Sequence, residues 1–432
     1  MIENAFENIR NACEKALQKK YTGGVPDRVR ERLDEELGYL KESCFIEDFE
    51  LQRRLFEEAR KSSNLMLERA VVAGSFIYHL MGDTKVNPLP AHYYCPKCGH
   101  YEEAGRGIFG IDLPKEKCPE CGETMISDGI DIPVMSVWDD KSWIYFESNV
   151  SSGFFPYARR LLEEMYPDNS IEIWGIQMQH GKNSGFVQGG FYILPEGKTI
   201  EDYPDLISYL DDGTKCMAAS VIESDERHLK KVALIPNTYL DCAIYMQNKT
   251  GLYYDEISLD DLRSISYRDV CNTRLIDEKV RDLLEKNRPK SVKMINSLYA
   301  AANNSYGDMT EDERIDKFLQ SEVFEKCPLY VREDVYDYLL EKGMDKDTAY
   351  SYMEMVRRGQ LYRYRTDGGM MIRFRDVVNT KVPEELYESA SICRYLLPRV
   401  HTAGYTYLFM ALAYYMKKDS KAYSYFVKTV KE

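Results

Sequence analysis

Four cysteines carry the clearest chemistry in the sequence: Cys95-Pro-Lys-Cys98, nineteen intervening residues, then Cys118-Pro-Glu-Cys121. A Cys-x-x-Cys pair places two thiolates on one side of a tight knuckle, and two such pairs close into the tetrahedral four-sulfur shell that zinc favours. Gly99 and Gly122 follow the two pairs, where a knuckle usually needs positive φ. The spacing predicts a Zn2+ site formed by Cys95, Cys98, Cys118 and Cys121. With no histidine in the set and no open position, its role should be structural rather than catalytic. A pair of disulfides or a redox dithiol is the alternative, and both fit poorly with the seven scattered cysteines that remain (Cys13, Cys44, Cys216, Cys242, Cys271, Cys327 and Cys393). These lack framework spacing and read as free thiols in a reducing compartment.

Other reactive residue types have plainer readings. Asp211-Asp212-Gly213 is turn chemistry, and Asp260-Asp261 after Ser258 caps a helix. His180 and His228 have no partner visible in sequence and are read as satisfied side chains. The 34 tyrosines cluster at Tyr362-Arg-Tyr-Arg365, Tyr414-Tyr415 and Tyr423-Ser-Tyr425. Such clusters either stack on single-stranded bases or pack core edges and partner proteins. Gln52-Arg-Arg-Leu-Phe56 has the look of a sliding-clamp-docking peptide, but it sits mid-helix, where an ordinary helix face is the better reading.

The elements that must position these groups follow from composition and periodicity. At 432 residues, 44% hydrophobic and 30% charged, the chain can build two or three cores. It has no run of eighteen apolar residues and no basic, apolar leader, so the expectation is a cytoplasmic protein with no membrane partner. The net charge of −14 argues against indiscriminate nucleic-acid binding. From Arg394 onward, however, seven basic residues face only Asp419 and Glu432. Residues 3 to about 70 are helical in pattern, with Val29, Leu33, Leu37 and Leu40 at helical spacing behind Pro26.

Longer strings narrow the field. Val86-Asn-Pro-Leu-Pro-Ala-His-Tyr-Tyr-Cys-Pro-Lys-Cys98, Phe109-Gly-Ile-Asp-Leu-Pro114, Cys118-Pro-Glu-Cys-Gly122 and Asp128-Gly-Ile-Asp-Ile-Pro133 together resemble the palm region of the PolC-type DNA polymerase III alpha subunit, a C-family replicative polymerase. Gln188-Gly-Gly-Phe-Tyr-Ile-Leu-Pro195 looks like its glycine-glycine palm strand. His228-Leu-Lys-Lys-Val-Ala-Leu-Ile-Pro236 looks like the strand bearing the third catalytic aspartate. Arg288-Pro-Lys290, Gly343 through Gly359, and Leu397-Pro-Arg-Val-His-Thr-Ala-Gly-Tyr405 fall in order along what would be the fingers. The resemblance runs from about residue 5 to about 430. It implies a palm-and-fingers core without the family's N-terminal, OB, exonuclease and PHP parts and without its C-terminal duplex-binding region.

Measured against that family, the chain has lost the polymerising residues. Phosphoryl transfer needs two divalent metals held by three palm carboxylates. The family's Asp-x-Asp pair should fall just after Asp140-Lys141, yet Ser142-Trp-Ile-Tyr-Phe-Glu147 contains no aspartate, and the third aspartate aligns with Ala233. Only Glu147 could ligate metal there, so no catalytic residue and no Mg2+ are expected. The family's serine- and glycine-rich phosphate loop aligns with residues 66–75, where only Arg69, Gly74 and Ser75 survive. Leu67 and Ala70 block close approach of the backbone, and Glu68 adds a like charge beside the anion. Between Phe146 and Gln188 the chain is shorter than the family by tens of residues, across the region of the duplex-gripping thumb. In the fingers, Arg399, His401 and Tyr405 fit the positions that meet the incoming triphosphate. His401 and Tyr405, four apart, share one helical face, and Arg399 shares it only if the helix begins after it.

The expected fold is α+β: a helical N-terminal segment (1–64), a palm-like domain with a mixed sheet (65–245) carrying an inserted four-cysteine zinc module (91–131), and a mainly helical fingers-like domain (246–432). The expected function is that of a catalytically inactive PolC-like pseudo-polymerase in DNA replication or its control, binding DNA, nucleotide or a replisome component through Arg69, Arg399, His401 and Tyr405. The alternatives are a residual DNA-directed DNA polymerase using Glu147 with Asp139 or Asp140, and a structural partner protein.

Overall fold

A computed structural model describes residues 2–69, 72–138, 146–180, 183–307, 319–366 and 382–431. The chain opens with three helices, Ile2–Lys20, Asp27–Glu42 and Ile46–Lys61. Their apolar residues recur every three or four positions (Ile9, Cys13, Leu17; Val29, Leu33, Leu37, Leu40) and are buried. The pentapeptide at 52–56 lies inside the third helix: Gln52 donates to Ser148 Oγ at 2.8 Å, and Leu55 and Phe56 are buried. It is a helix face, as expected.

These helices and the helix Phe155–Met165 share a core with one face of a seven-stranded mixed sheet. The strands are β1 (Met66–Glu68), β5 (Glu147–Val150), β6 (Ile171–His180), β7 (Asn183–Ile193), β8 (Ile207–Tyr209), β9 (Lys215–Met217) and β10 (Lys230–Pro236). They are ordered β1-β5-β10-β7-β6-β9-β8. β5 and β10 run parallel, with Ala233 opposite Glu147 and Ile235 opposite Asn149. Alternation along β10 sends Val232 and Leu234 into the core with the N-terminal helices. Ala233 and Glu147 therefore share the opposite face. Gly190 on β7 lies so close to β10 that a Cβ there would sit 2.0 Å from the Val232 carbonyl, and its φ is +138°. That contact requires glycine in the Gly-Gly strand.

The cysteine module is a small antiparallel sheet with β2 (His92–Tyr94) between β3 (Tyr101–Glu103) and β4 (Ile126–Asp128). Beyond residue 246 the chain is mainly helical. The helix Arg399–Lys418 is buried on nearly all sides, in one core with the helices Thr238–Thr250, Tyr267–Asn272 and Val292–Asn303. An apolar-all-round helix of this kind belongs at the centre of a core. Described apolar residues between Tyr306 and Leu396 form a further core, beside a two-stranded pairing of Ser305–Tyr306 with Cys393–Tyr395. Among the described residues no helix is long and apolar enough to cross a membrane.

Candidate functional site

The four cysteines converge, each offering a sulfur within 4.8 Å of the other three. The Cys95 and Cys121 sulfurs are 3.4 Å apart, and those of Cys98 and Cys118 are 3.5 Å apart. Two knuckles achieve this: Gly99 N–H donates to the Cys95 carbonyl at 3.0 Å, and Gly122 N–H to the Cys118 carbonyl at 2.9 Å. Both glycines have positive φ, +79° and +73°. A metal with sulfur bonds of ~2.3 Å fits a tetrahedron of this size, and the four-thiolate donor set suits a structural ion. The cluster can hold a metal ion.

A second cluster forms where the Arg399–Lys418 helix crosses the open face of the sheet. Tyr405 Oη donates to Asn149 Oδ1 at 3.3 Å on β5 and accepts from Asn237 Nδ2 at 3.5 Å, at the end of β10. His401 lies one turn earlier, its ring centre 5.3 Å from that of Tyr405. Arg69, just past β1, is tied to β5 through its N–H to the Glu147 carbonyl at 2.9 Å. Its Nε is buried and has no hydrogen-bond partner among the described residues. Burial, and then the charge of Arg69, push the His401 pKa down to about 4. His401 is therefore neutral at pH 7, and Arg69 supplies the positive charge beside it.

Tyr299 and Tyr239 complete an aromatic wall, with ring centres 5.8 Å and 6.4 Å from Tyr405. Burial, then Asp277 and Tyr405, raise Tyr239 to about 12, so both its phenol and that of Tyr299, which burial raises well above its ordinary value, stay protonated. A wall of tyrosines beside one guanidinium can stack on a base or sugar and bind a single phosphate. Sequence reasoning did not single out Tyr239, Tyr299, Asn149 or Asn237. The available signal was Tyr239 two residues past an Asn that caps its helix, since Asn237 Oδ1 accepts from Tyr239 N at 2.9 Å.

The structure thus brings Arg69, His401 and Tyr405 together, but not Arg399. The helix begins at Arg399 rather than after it, and the side chain turns away from the sheet. Arg399 is 1% exposed. Its guanidinium donates to the carbonyls of Ile130 (3.3 Å) and Asp131 (2.9 Å) and to Asp337 Oδ2 (2.5 Å), and it lies 3.4 Å from Asp334 Oδ1. Its backbone N–H donates to Glu333 Oε2 at 2.7 Å. Both terminal nitrogens of the Arg399 guanidinium are used inside the protein, so the expectation of a shared face with His401 and Tyr405 is corrected to a buried tie between the Asp128–Pro133 string and the helix Arg332–Glu341.

The loop at 66–75 has an internal anion of its own. Glu36, fully buried, accepts from Phe76 N at 2.9 Å, Ser75 Oγ at 2.8 Å and Arg32 Nε at 2.7 Å. The surviving Ser75 and the first amide of the helix Phe76–Met81 are thereby committed to a carboxylate. Asp139 and Asp140 lie outside the described residues, as does the side chain of His180. His228 is exposed, with φ +54°. Asp261 closes a capping box with Ser258, and Asp212 closes its turn onto Thr214 N–H at 2.9 Å.

The profile of the bacterial DNA polymerase III alpha NTPase domain matches residues 7–147, ending at the first residue of β5. The PolC-type DNA polymerase III of Caldanaerobacter subterraneus subsp. tengcongensis is 24% identical over 475 residues, covering 96% of this chain and 33% of that protein. This chain resembles PolC-type DNA polymerase III. The PolC-type enzyme of Thermotoga maritima is similar to the same degree, 24% over 481 residues, covering 96% of this chain and 34% of the relative. The chain spans about a third of the length of these PolC relatives. Both alignments are longer than its 432 residues, so the PolC proteins carry residues with no counterpart here.

Proposed function

We propose that this chain is a PolC-like pseudo-polymerase: a palm-and-fingers body that acts in DNA replication or its control by binding DNA, nucleotide or a replisome component, without polymerising. The observation that carries this reading is the pairing of Ala233 with Glu147 on adjacent parallel strands. Two metals in a polymerase are clamped by carboxylates from neighbouring strands. Here one strand contributes a methyl group, 2% exposed, and the other a single glutamate.

Binding would fall to Arg69 with His401 and Tyr405, backed by the tyrosine wall. With Arg69 as its cation and with the Ser75 hydroxyl and Phe76 amide already held by Glu36, the affinity for a nucleotide or a DNA strand should be weak. The four-cysteine cluster is proposed to hold a structural Zn2+. It would fix the module that supplies the Asp128–Pro133 string to Arg399, and the zinc would serve as scaffold rather than as Lewis acid.

A primer-extension assay with Mg2+ or Mn2+ tests the reading, paired with an electrophoretic shift on single-stranded and primed DNA. No extension together with a shift supports the pseudo-polymerase. Template-directed extension that is lost in Glu147→Gln would establish a residual polymerase instead. Neither extension nor a shift would leave a partner-protein role.

A further inference from the structure

Two features of the C-terminal region take no part in the Arg69 cluster: its excess of basic residues and the Tyr423-Ser-Tyr425 string. The structure sorts the basic residues from Arg394 onward. Arg394 donates to Tyr362 Oη at 2.9 Å, and Arg399 is buried. Lys417 pairs with Asp269 at 3.1 Å, and Lys418 stands over the Tyr414 ring at 4.8 Å. The side chain of Lys431 and the whole of Glu432 lie outside the described residues. Lys421 and Lys428 remain, both exposed on the last helix, Ser420–Lys431. Among the described residues neither forms an ion pair. Asp419, just before that helix, is turned to its amides, with Oδ1 accepting from Lys421 N at 3.1 Å and from Ala422 N at 2.9 Å.

The two tyrosines of the string part company on this helix. Tyr423 and Val427 join the core, whereas Tyr425 is 63% exposed. Lys421, Tyr425 and Lys428 recur at i, i+4 and i+7, which is one helical face. At 1.5 Å of rise per residue the two lysines stand about 10 Å apart along the axis, with the ring between them. The Tyr425 ring is itself held. It stacks on Tyr245 of the helix Thr238–Thr250, with centres 6.5 Å apart and planes 22° apart. Tyr245 also meets Phe426 at 5.4 Å, and Lys249 Nζ stands over it at 5.5 Å. Lys249 is exposed and, among the described residues, forms no ion pair. Asp241, one turn before Tyr245, is held at the other side of its helix turn by Ser152, accepting from its N–H at 2.6 Å and its Oγ at 2.8 Å.

The outcome is an aromatic platform flanked by three cations, on a protein whose net charge is −14. A ring fixed from one side by a stacking partner and exposed on the other offers its free face to another flat ring. Ammoniums before and after that ring suit the two phosphates that flank a stacked base. A duplex keeps its base faces covered, so the fit is to an unpaired strand, and an acidic peptide would meet the lysines without using the ring. We propose that the Tyr425–Tyr245 surface binds single-stranded DNA, with one base on Tyr425, the neighbouring phosphates on Lys421 and Lys428, and Lys249 beside the strand. That the strand is DNA rests on the function proposed above, since stacking and charge alone would also serve RNA.

The test is fluorescence anisotropy of the full chain at low salt with labelled oligo-dT of about twelve nucleotides, within the usual span of a single-strand site. A blunt duplex, an abasic strand, oligo-rU and poly-glutamate of matched length are the comparisons. Oligo-dT should bind more tightly than the duplex, the abasic strand or poly-glutamate. Tyr425→Ser should weaken oligo-dT at least about fivefold, the low end for one base stacked on an aromatic ring, and leave the abasic strand unchanged. Tyr425→Phe keeps the ring and should bind as the parent does. Lys421→Gln and Lys428→Gln should each flatten the dependence of log affinity on log salt by about 0.7, the share of one single-strand phosphate. Equal binding of oligo-dT by Tyr425→Ser, unchanged slopes in both glutamine variants, or a duplex or poly-glutamate bound as tightly as oligo-dT would each overturn the proposal. Tighter binding of oligo-rU than of oligo-dT would overturn the assignment to DNA. The loss caused by Tyr425→Ser should persist in an Arg69→Ala background, so this surface and the Arg69 reading fail separately.

Discussion

Replacing Arg399 with methionine tests whether this residue holds the protein together or meets a ligand. The methionine keeps most of the apolar stem and removes the guanidinium from Asp337, Asp334 and the carbonyls of Ile130 and Asp131. Removing one partner of a buried charge pair costs about 3–5 kcal/mol, because the remaining charges and acceptors are left without compensation. Against a typical stability of about 5–15 kcal/mol, the variant should lose between about a fifth and all of its margin. Urea unfolding followed by tyrosine fluorescence and far-UV circular dichroism reads this directly. Arg399→Lys should fall between the two, since it keeps the charge and loses the fork.

The deficit should also depend on pH, with a definite sign. Burial holds the Asp334 carboxyl above its ordinary pKa while Arg399 pulls it down. Without Arg399 it rises further, so the folded variant binds more protons than the unfolded chain just above the ordinary carboxylate range. Stability then falls as pH rises through that window. The gap between Arg399→Met and the unaltered chain should therefore narrow on going from pH 7 to about pH 5. A variant within about 1 kcal/mol of the parent at pH 7, with a clear loss of DNA binding, would refute the argument and return Arg399 to the ligand face.

Protein purified without chelator should contain about one zinc per chain by elemental analysis. Cys95→Ser should lose it and loosen the module, since structural zinc contributes on the order of 10 kcal/mol to folding; absence of zinc in the parent protein would sink the assignment. Arg69→Ala should weaken DNA or nucleotide binding and flatten its dependence on the logarithm of salt by about one unit, the share of a single phosphate contact; an unchanged slope would remove Arg69 from the interface. His401, held down at about 4 by burial and by Arg69, takes up a proton more readily unfolded than folded. It therefore costs stability as pH falls from about 6.5 to 4, on the order of 3 kcal/mol, and His401→Leu should show a shallower acid-side loss in urea titrations.

What the sequence revealed was local. The knuckle glycines, the capping box at Ser258 and the helical spacing of Val29, Leu33, Leu37 and Leu40 each depend on residues within a few positions, and all appear as expected. The destination of Arg399 was hidden because its partners, Ile130, Asp131 and Asp337, lie 62 to 269 positions away. A basic residue near the start of a basic helix looks the same in sequence whether it faces solvent or sits at 1% exposure. Glu36 was hidden for the same reason. It lies on a helix 40 residues before the amide it caps, and helical periodicity marks Glu36 only as a polar position among apolar ones.

Ala233 and the buried arginines have opposite energetics, which bears on how a chain of the proposed kind could keep the architecture without the chemistry. Carboxylates converging on one sheet face repel each other and are costly to bury without metal, so a methyl group at position 233, 2% exposed beside Glu147, is easier to bury there than a second carboxylate would be. Function of that kind is held against stability, and its loss leaves the fold easier to maintain. Arg399 and Arg332 are the reverse case. Each is about 1% exposed; Arg332 binds Glu333, Glu354 and the Ser136 carbonyl at 2.9, 2.6 and 3.2 Å. Losing either cation would strand several acceptors at once. If the proposed reading holds, Ala233 comes at little structural cost, while Arg399 and Arg332, which tie the segment 130–136 to the helical region, stay fixed by the acceptors around them.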